Sequence, residues 1–213
     1  MEQTVHSMPR IGDIAPQFEI NTTHGTLRLE DYKGSWLILF SHPADFTPVC
    51  TTEFIAFTNL YDEFKKRNTE LLGLSIDSVY SHIAWVRNIE EKFGVKIKFP
   101  VIADLNKEVA TLYGMIMPGE SKTETSRAVF VIDPDQKIRA IIYYPLTTGR
   151  NVDELLRLID ALQTHDKHKV ATPANWKPGD AVIVPPPNTQ EMAEQRMKEK
   201  YEIKDWYFSK KKL

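Results

Sequence analysis

Two apolar runs of β-forming residues constrain this chain more than any other feature. They are Trp36-Leu37-Ile38-Leu39-Phe40-Ser41 and Leu71-Leu72-Gly73-Leu74-Ser75-Ile76. Neither alternates apolar with polar residues, which is the pattern of a strand covered on both faces. Between them, Phe54, Phe57, Leu60, Tyr61 and Phe64 recur at helical spacing from Cys50 onward, and Lys65-Lys66-Arg67 suits a helix C-terminus. A second helix carries Ile83, Val86, Ile89 and Phe93 and closes at Gly94; Val109, Leu112 and Tyr113 mark a short third one. Runs 127–132 and 138–143 flank the turn signal Asp133-Pro134-Asp135-Gln136 and form a hairpin. Asn151 with Glu154 has the form of a capping box, opening a helix with Val152, Leu155, Leu156, Ile159 and Leu162 inward. Two strand–helix–strand units, a hairpin and a helix predict an α/β domain with a mixed central sheet flanked by helices, over residues 9–165.

The character then changes. Residues 165–188 hold five prolines, including Pro185-Pro186-Pro187, and read as an extended arm. A charged helix from Gln190 to Lys200 follows, then the aromatics Trp206, Tyr207 and Phe208, and Lys210-Lys211-Lys212 as a solvated tail. Aromatics on an arm with little core need a surface to cover. Residues 166–213 are therefore expected to pack as a C-terminal arm or small domain on the main domain or on a neighbouring subunit.

Composition narrows the function. Lys and Arg number 27 against 29 Asp and Glu, so no basic field exists to hold a nucleic acid. No apolar run approaches the roughly 18 residues of a membrane span. The opening Met1-Glu2-Gln3-Thr4-Val5-His6 lacks the basic and apolar regions of a secretion signal, so a cytoplasmic protein with no membrane partner is expected. The single cysteine, Cys50, excludes an intramolecular disulfide and a zinc site built on several thiolates. The histidines show no His-x-x-x-His spacing, and His165 and His168 lie on an exposed, lysine-rich stretch, so neither metal nor other cofactor is expected.

A lone cysteine is either a small buried apolar group or a reactive thiol. Context favours the second. Cys50 follows the strand Trp36–Ser41 through the loop His42-Pro43-Ala44-Asp45-Phe46-Thr47-Pro48-Val49 and falls in a helix's first turn, where free amides and the dipole favour a thiolate. Thr47-x-x-Cys50 also occupies the place where thioredoxin-like folds carry Cys-x-x-Cys, with a hydroxyl in place of the first thiol.

The run from His42 to Glu53, with Pro-x-x-x-Thr-x-x-Cys inside it, resembles the active-site signature of the peroxiredoxins. Residues 127–133, 144–151 and 170–176 resemble the one-cysteine, long-tailed peroxiredoxin-6 type, and the likeness runs from Pro9 to Trp206. The resemblance implies a thioredoxin-like fold and antioxidant reduction of hydrogen peroxide or organic hydroperoxides through a Cys50 sulfenic acid. It also implies homodimers assembled into a decamer. Pro43 and Thr47 match the family's loop residues, Arg127 its active-site arginine, and Arg150 and Glu53 a second arginine and a supporting carboxylate. With no second cysteine, reduction falls to an external thiol, a thioredoxin-like protein or a small thiol. Some relatives carry a cysteine just after the aromatic cluster, so Ser209 stands where a resolving cysteine would be.

These residue types suit the chemistry. Turning a thiol into thiolate at pH 7 is worth only about thirtyfold in population, and the gain is eroded by falling nucleophilicity. The remainder must come from donors aimed at the peroxide oxygens. Arg127 supplies a cation with paired donors and Thr47 a hydroxyl, while Pro43 keeps water from the sulfur. His42 reads as a loop histidine that shapes the substrate pocket rather than as a hydrolase base, for which no third group is specified. Gly34-Ser35-Trp36 is flanked by Lys33 and Leu37, so the lipase pattern Gly-x-Ser-x-Gly fails. The alternative is a holdase-like assembly on the same scaffold, in which the thiol would be dispensable.

Overall fold

The computed structural model describes residues 8–213. Met1–His6, read above for a leader, lies outside them. The chain divides into two compact units, the first ending at Val152 and the second running from Asp153 to Leu213.

The first unit is built on a seven-stranded mixed sheet. Its strands are β1 (Glu19–Thr22), β2 (Gly25–Arg28), β3 (Trp36–Ser41), β4 (Thr69–Ser75), β5 (Val101–Ala103), β6 (Arg127–Ile132) and β7 (Ile138–Tyr144), in the order β2-β1-β5-β4-β3-β6-β7. Strands β3, β4 and β5 are parallel, and the other pairings are antiparallel. All six residues of β3 are buried, as its unbroken apolar run requires. Leu37 and Leu39 join one core with Leu72, Leu74, Tyr113 and Phe130. The alternate residue Phe40 belongs to an aromatic cluster, stacking on Phe57 at 4.1 Å between ring centroids and meeting Phe54 and Phe99 edge-on. Gly73 makes this packing possible, since a Cβ there would stand 3.3 Å from the Phe54 ring and 3.5 Å from Phe40.

The helices are α1 (Pro48–Asn59), α2 (Tyr61–Lys66), α3 (Val79–Phe93), α4 (Glu108–Leu112), α5 (Val152–His168) and α6 (Gln190–Arg196). The single helix expected from Cys50 to Arg67 is two, because Leu60 leaves helical geometry at ψ 5° without any Pro or Gly to announce it. Gly94 closes α3 in the left-handed conformation, and α5 begins one residue after Asn151, as read from the sequence. The β1–β2 hairpin and the short β5 had no sequence signal, being four- and three-residue pieces without clear alternation.

The second unit carries strands beside the charged helix expected there. It holds a three-stranded antiparallel sheet of β8 (Val182–Val184), β9 (Glu202–Asp205) and β10 (Phe208–Lys211), ordered β8-β10-β9. Ala161, Val170, Trp176 and Val182 form a small core of its own. Lys210 and Lys211 are strand residues rather than a solvated tail, because β10 pairs with residues far upstream, which no local pattern reveals. No helix among the described residues is long and apolar enough to cross a membrane.

Candidate active site

The topology brings the critical residues together. Because β6 runs antiparallel to β3, with Phe40 opposite Val129, its first residue, Arg127, lies at the end of β3 from which the cysteine loop departs. Ser41 pins that corner, donating from Oγ to the Ser126 carbonyl at 2.6 Å and accepting from the Ala128 amide at 3.1 Å. The loop then runs through Pro43, which is buried, and Phe46, which is exposed at φ 55°, a left-handed conformation that costs a bulky residue energy. Pro48 stands in the first turn of α1, where a missing amide hydrogen costs nothing, and two residues later comes Cys50.

Cys50 is free and has no exposed surface. Its surroundings are not purely hydrocarbon: Arg127 Nη1 donates to Sγ at 3.3 Å and to Glu53 Oε2 at 2.7 Å. Arg127 Nε and Nη2 donate to the Leu146 carbonyl at 3.0 and 2.8 Å, so one of its five N–H groups stays uncommitted among the described residues. Glu53 is shared. Arg150 reaches Oε1 through its backbone amide and Nε, both at 2.8 Å, and Oε2 through Nη2 at 2.7 Å. Nη1 of Arg150 donates to the carbonyls of Ser41 and Ala128, and its guanidinium lies over the Phe40 and Phe57 rings. Burial would push the Glu53 carboxyl up, yet Arg150 and then Arg127 hold it below the usual carboxylate range. Two cations and one carboxylate leave one positive charge facing the sulfur.

Thr47 caps α1 in position only. Its hydroxyl donates to the Ala44 carbonyl at 2.8 Å, leaving the oxygen's lone pairs free to accept, while its carbonyl takes the Thr51 amide and hydroxyl. His42 turns its Nε2 to Asp45 Oδ1 at 3.0 Å, meets Phe54 edge-on and lies tilted beside Trp85; its Nδ1 has no partner among the described residues. Asp45 is also bound by His82 from α3, at 2.8 and 3.0 Å.

Sequence reasoning assigned no role to Asp45 and His82. Asp45 sits inside the signature loop, whereas His82 lies on the buried face of a helix where a lone histidine carries no local signal. His42, Asp45 and His82 offer ligand atoms within 4.8 Å of one another, a grouping that a search by helical spacing does not reach. Each histidine meets Asp45 at hydrogen-bond length.

Comparisons agree with this architecture. Residues 11–141 match the AhpC/TSA family and residues 161–200 the C-terminal domain of 1-Cys peroxiredoxin. A peroxiredoxin of Aquifex aeolicus is 59% identical, over 98% of this chain and 99% of its own length. Another, from Methanosarcina mazei, is 56% identical over 96% of this chain and 98% of its own. Among solved structures, the yeast mitochondrial 1-Cys peroxiredoxin has a TM-score of 0.85 at 44% identity, covering 97% of this chain and all of that one. A cysteine-to-serine mutant of peroxiredoxin 6 from Arenicola marina has a TM-score of 0.80, also at 44% identity, over 87% and 88% of the two chains. Sequence and thioredoxin-like fold together thus establish that this chain belongs to the AhpC/TSA family of peroxiredoxins, in its one-cysteine branch with a long C-terminal region, and is a thiol-dependent peroxidase.

Proposed function

We propose that Cys50 is the peroxide-reducing sulfur and that Arg127, Thr47, Pro43 and His42 form the substrate site, with Glu53 and Arg150 in support. The observation that carries this reading is the 3.3 Å contact from Arg127 Nη1 to Sγ, inside a cluster with one unbalanced positive charge. The Cys50 thiolate attacks one oxygen of a hydroperoxide, the O–O bond breaks, and the S–O bond forms. The departing oxygen leaves as an anion and takes a proton to become water or an alcohol. Arg127 is the cation nearest that developing charge, and fixed donors in a dry site are worth far more than in water. Thr47, whose proton is already given to Ala44, acts as an acceptor toward the hydroperoxide's O–H.

An external thiol then attacks the sulfenic sulfur, releasing water and leaving a mixed disulfide that a second thiol resolves. The single cysteine supports this. So does the yeast mitochondrial relative, described as resolved through glutathione/thioredoxin systems. Hydrogen peroxide and small organic hydroperoxides are the substrates, and the compartment is one that supplies thiols, the cytoplasm. Homodimers gathered into a decamer belong to the same reading, supported by Trp206 and Tyr207, which are 44% and 55% exposed.

Stopped-flow mixing with hydrogen peroxide tests it. Cys50→Ser abolishes the fast single turnover, and one equivalent of peroxide adds one oxygen at Cys50 that an added thiol removes. A holdase on this scaffold would instead keep its activity in Cys50→Ser. Equal oxidation rates in the two chains would refute the proposal.

A further inference from the structure

The loop that leads into Cys50 and helix α3 join His42 to two groups, Asp45 and His82, that the reaction above leaves without a task. His42, Asp45 and His82 are all buried, with side-chain exposures of 0%, 1% and 0%. His82 Nε2 faces the Ile102 carbonyl at 3.0 Å, and its Nδ1 faces the Asp45 carboxyl. His42 Nε2 faces the same carboxyl. A carbonyl only accepts, so each of these three contacts needs its own proton. Two neutral imidazoles and a carboxylate carry two. The cluster as built therefore holds one proton more than that, in the contact between His82 and Asp45.

The two histidines keep Asp45 an acceptor. Asp77 lies close by as a further acidic group: its Oδ2 receives the Asp45 backbone amide at 3.0 Å and the Ser75 hydroxyl at 2.7 Å. Burial alone would push the Asp45 carboxyl up, but the hydrogen bonds from His42 and His82 hold it well below the usual carboxylate range. Burial pushes His42 below the ordinary imidazole value despite Asp45, so its ring is neutral. An acceptor-only Asp45 then fixes the one ring proton of His42 on Nε2. Nδ1, buried and without a partner among the described residues, is left as a bare lone pair.

We propose that Asp45 and His82 are positioning residues of the peroxide site: they lock His42 in its Nε2–H form and so keep a bare acceptor nitrogen on the loop that leads into Cys50. His82 acts at two removes, from α3 through Asp45. It also ties that loop to β5 through Ile102. The consequence for His42 as a substrate contact rests on the peroxidase reading, whereas the tautomer does not.

Ring-nitrogen NMR of the 15N-histidine-labelled chain at pH 7 reads the tautomer directly. The expected spectrum shows His42 protonated at Nε2 and bare at Nδ1. A proton on Nδ1 overturns the proposal whether or not Cys50 reacts with peroxide. In His82→Leu, Asp45 loses its second donor while staying buried, so its carboxyl rises and a share of it is protonated at neutral pH. A protonated Asp45 donates to His42 Nε2 and drives the ring proton to Nδ1. Cys50 oxidation by peroxide then slows by about tenfold to a hundredfold. Raising the pH ionises Asp45 and restores the rate through an ascending step that wild type lacks. In the double variant H82L/D45N nothing titrates there, and the step vanishes. His82→Met fills much of the same volume without any donor and is read the same way should His82→Leu not fold. Wild-type rate and pH profile in a folded His82 variant, or a step that persists in the double variant, would overturn the role assigned to His82.

Discussion

Glu53 receives two guanidiniums at once, and the chemistry proposed for Cys50 depends on that sharing. Arg127 is held by Glu53 and the Leu146 carbonyl, so its direction toward the sulfur is set before any substrate arrives. Replacing it with Met should lower the rate of Cys50 oxidation by about a hundredfold to a thousandfold, measured by stopped flow. Glu53→Gln should instead appear first in stability, because it leaves two buried cations short of their anion at a cost of about 3 kcal/mol near neutral pH. The sign with pH follows from the lowered Glu53 carboxyl. Its contribution is full above the unfolded-chain value of about 4.3 and is lost as pH falls through the lower folded value. Denaturation curves of wild type and Glu53→Gln should therefore converge on acidification below about pH 4.

At the level of single elements, packing decides where a small change is felt. In β4, Gly73 leaves room for the Phe54 and Phe40 rings that brace α1 against the sheet. Gly73→Ala should cost about 1–3 kcal/mol through displaced rings and slow Cys50 oxidation with it, since α1 carries the cysteine. In β10, Ser209 has no exposed surface, and its Oγ lacks a partner among the described residues. An unpaired buried hydroxyl is unfavourable, so Ser209→Ala or Ser209→Cys should raise thermal stability by about 1 kcal/mol. This setting suits a thiol better than a hydroxyl. It supports the proposal that Ser209 stands where relatives hold a resolving cysteine, and peroxide treatment of Ser209→Cys would test it by disulfide formation with Cys50.

Over the molecule as a whole, the sulfur proposed to react, Cys50, has no exposed surface, so reagent size should matter more than intrinsic reactivity. A bulky maleimide should label the folded chain at least about tenfold more slowly than the urea-unfolded chain. Hydrogen peroxide should do the reverse, oxidising the folded chain faster by about a hundredfold or more, because only the fold sets a cation beside the sulfur. Mass spectrometry of timed samples reads both. If the unfolded chain were oxidised as fast as the folded one, the assembled site would contribute nothing.

Local signals were enough for the central strands, the helix whose first turn holds the cysteine, the Gly94 cap and the hairpin. Each is written in neighbouring residues: an unbroken apolar run, a 3.6-residue period, a left-handed glycine, a turn tetrapeptide. The signature loop likewise carries Cys50 and Thr47 of the proposed site in its own sequence. What local sequence could not carry was contact across long separations. The β10 pairing with β8, the reach of His82 to Asp45 over 37 positions and of Arg150 to Glu53 over 97, and the break at Leu60 all arose on folding. Periodicity reports which side of an element is buried, while the identity of the groups that meet there depends on how the elements pack.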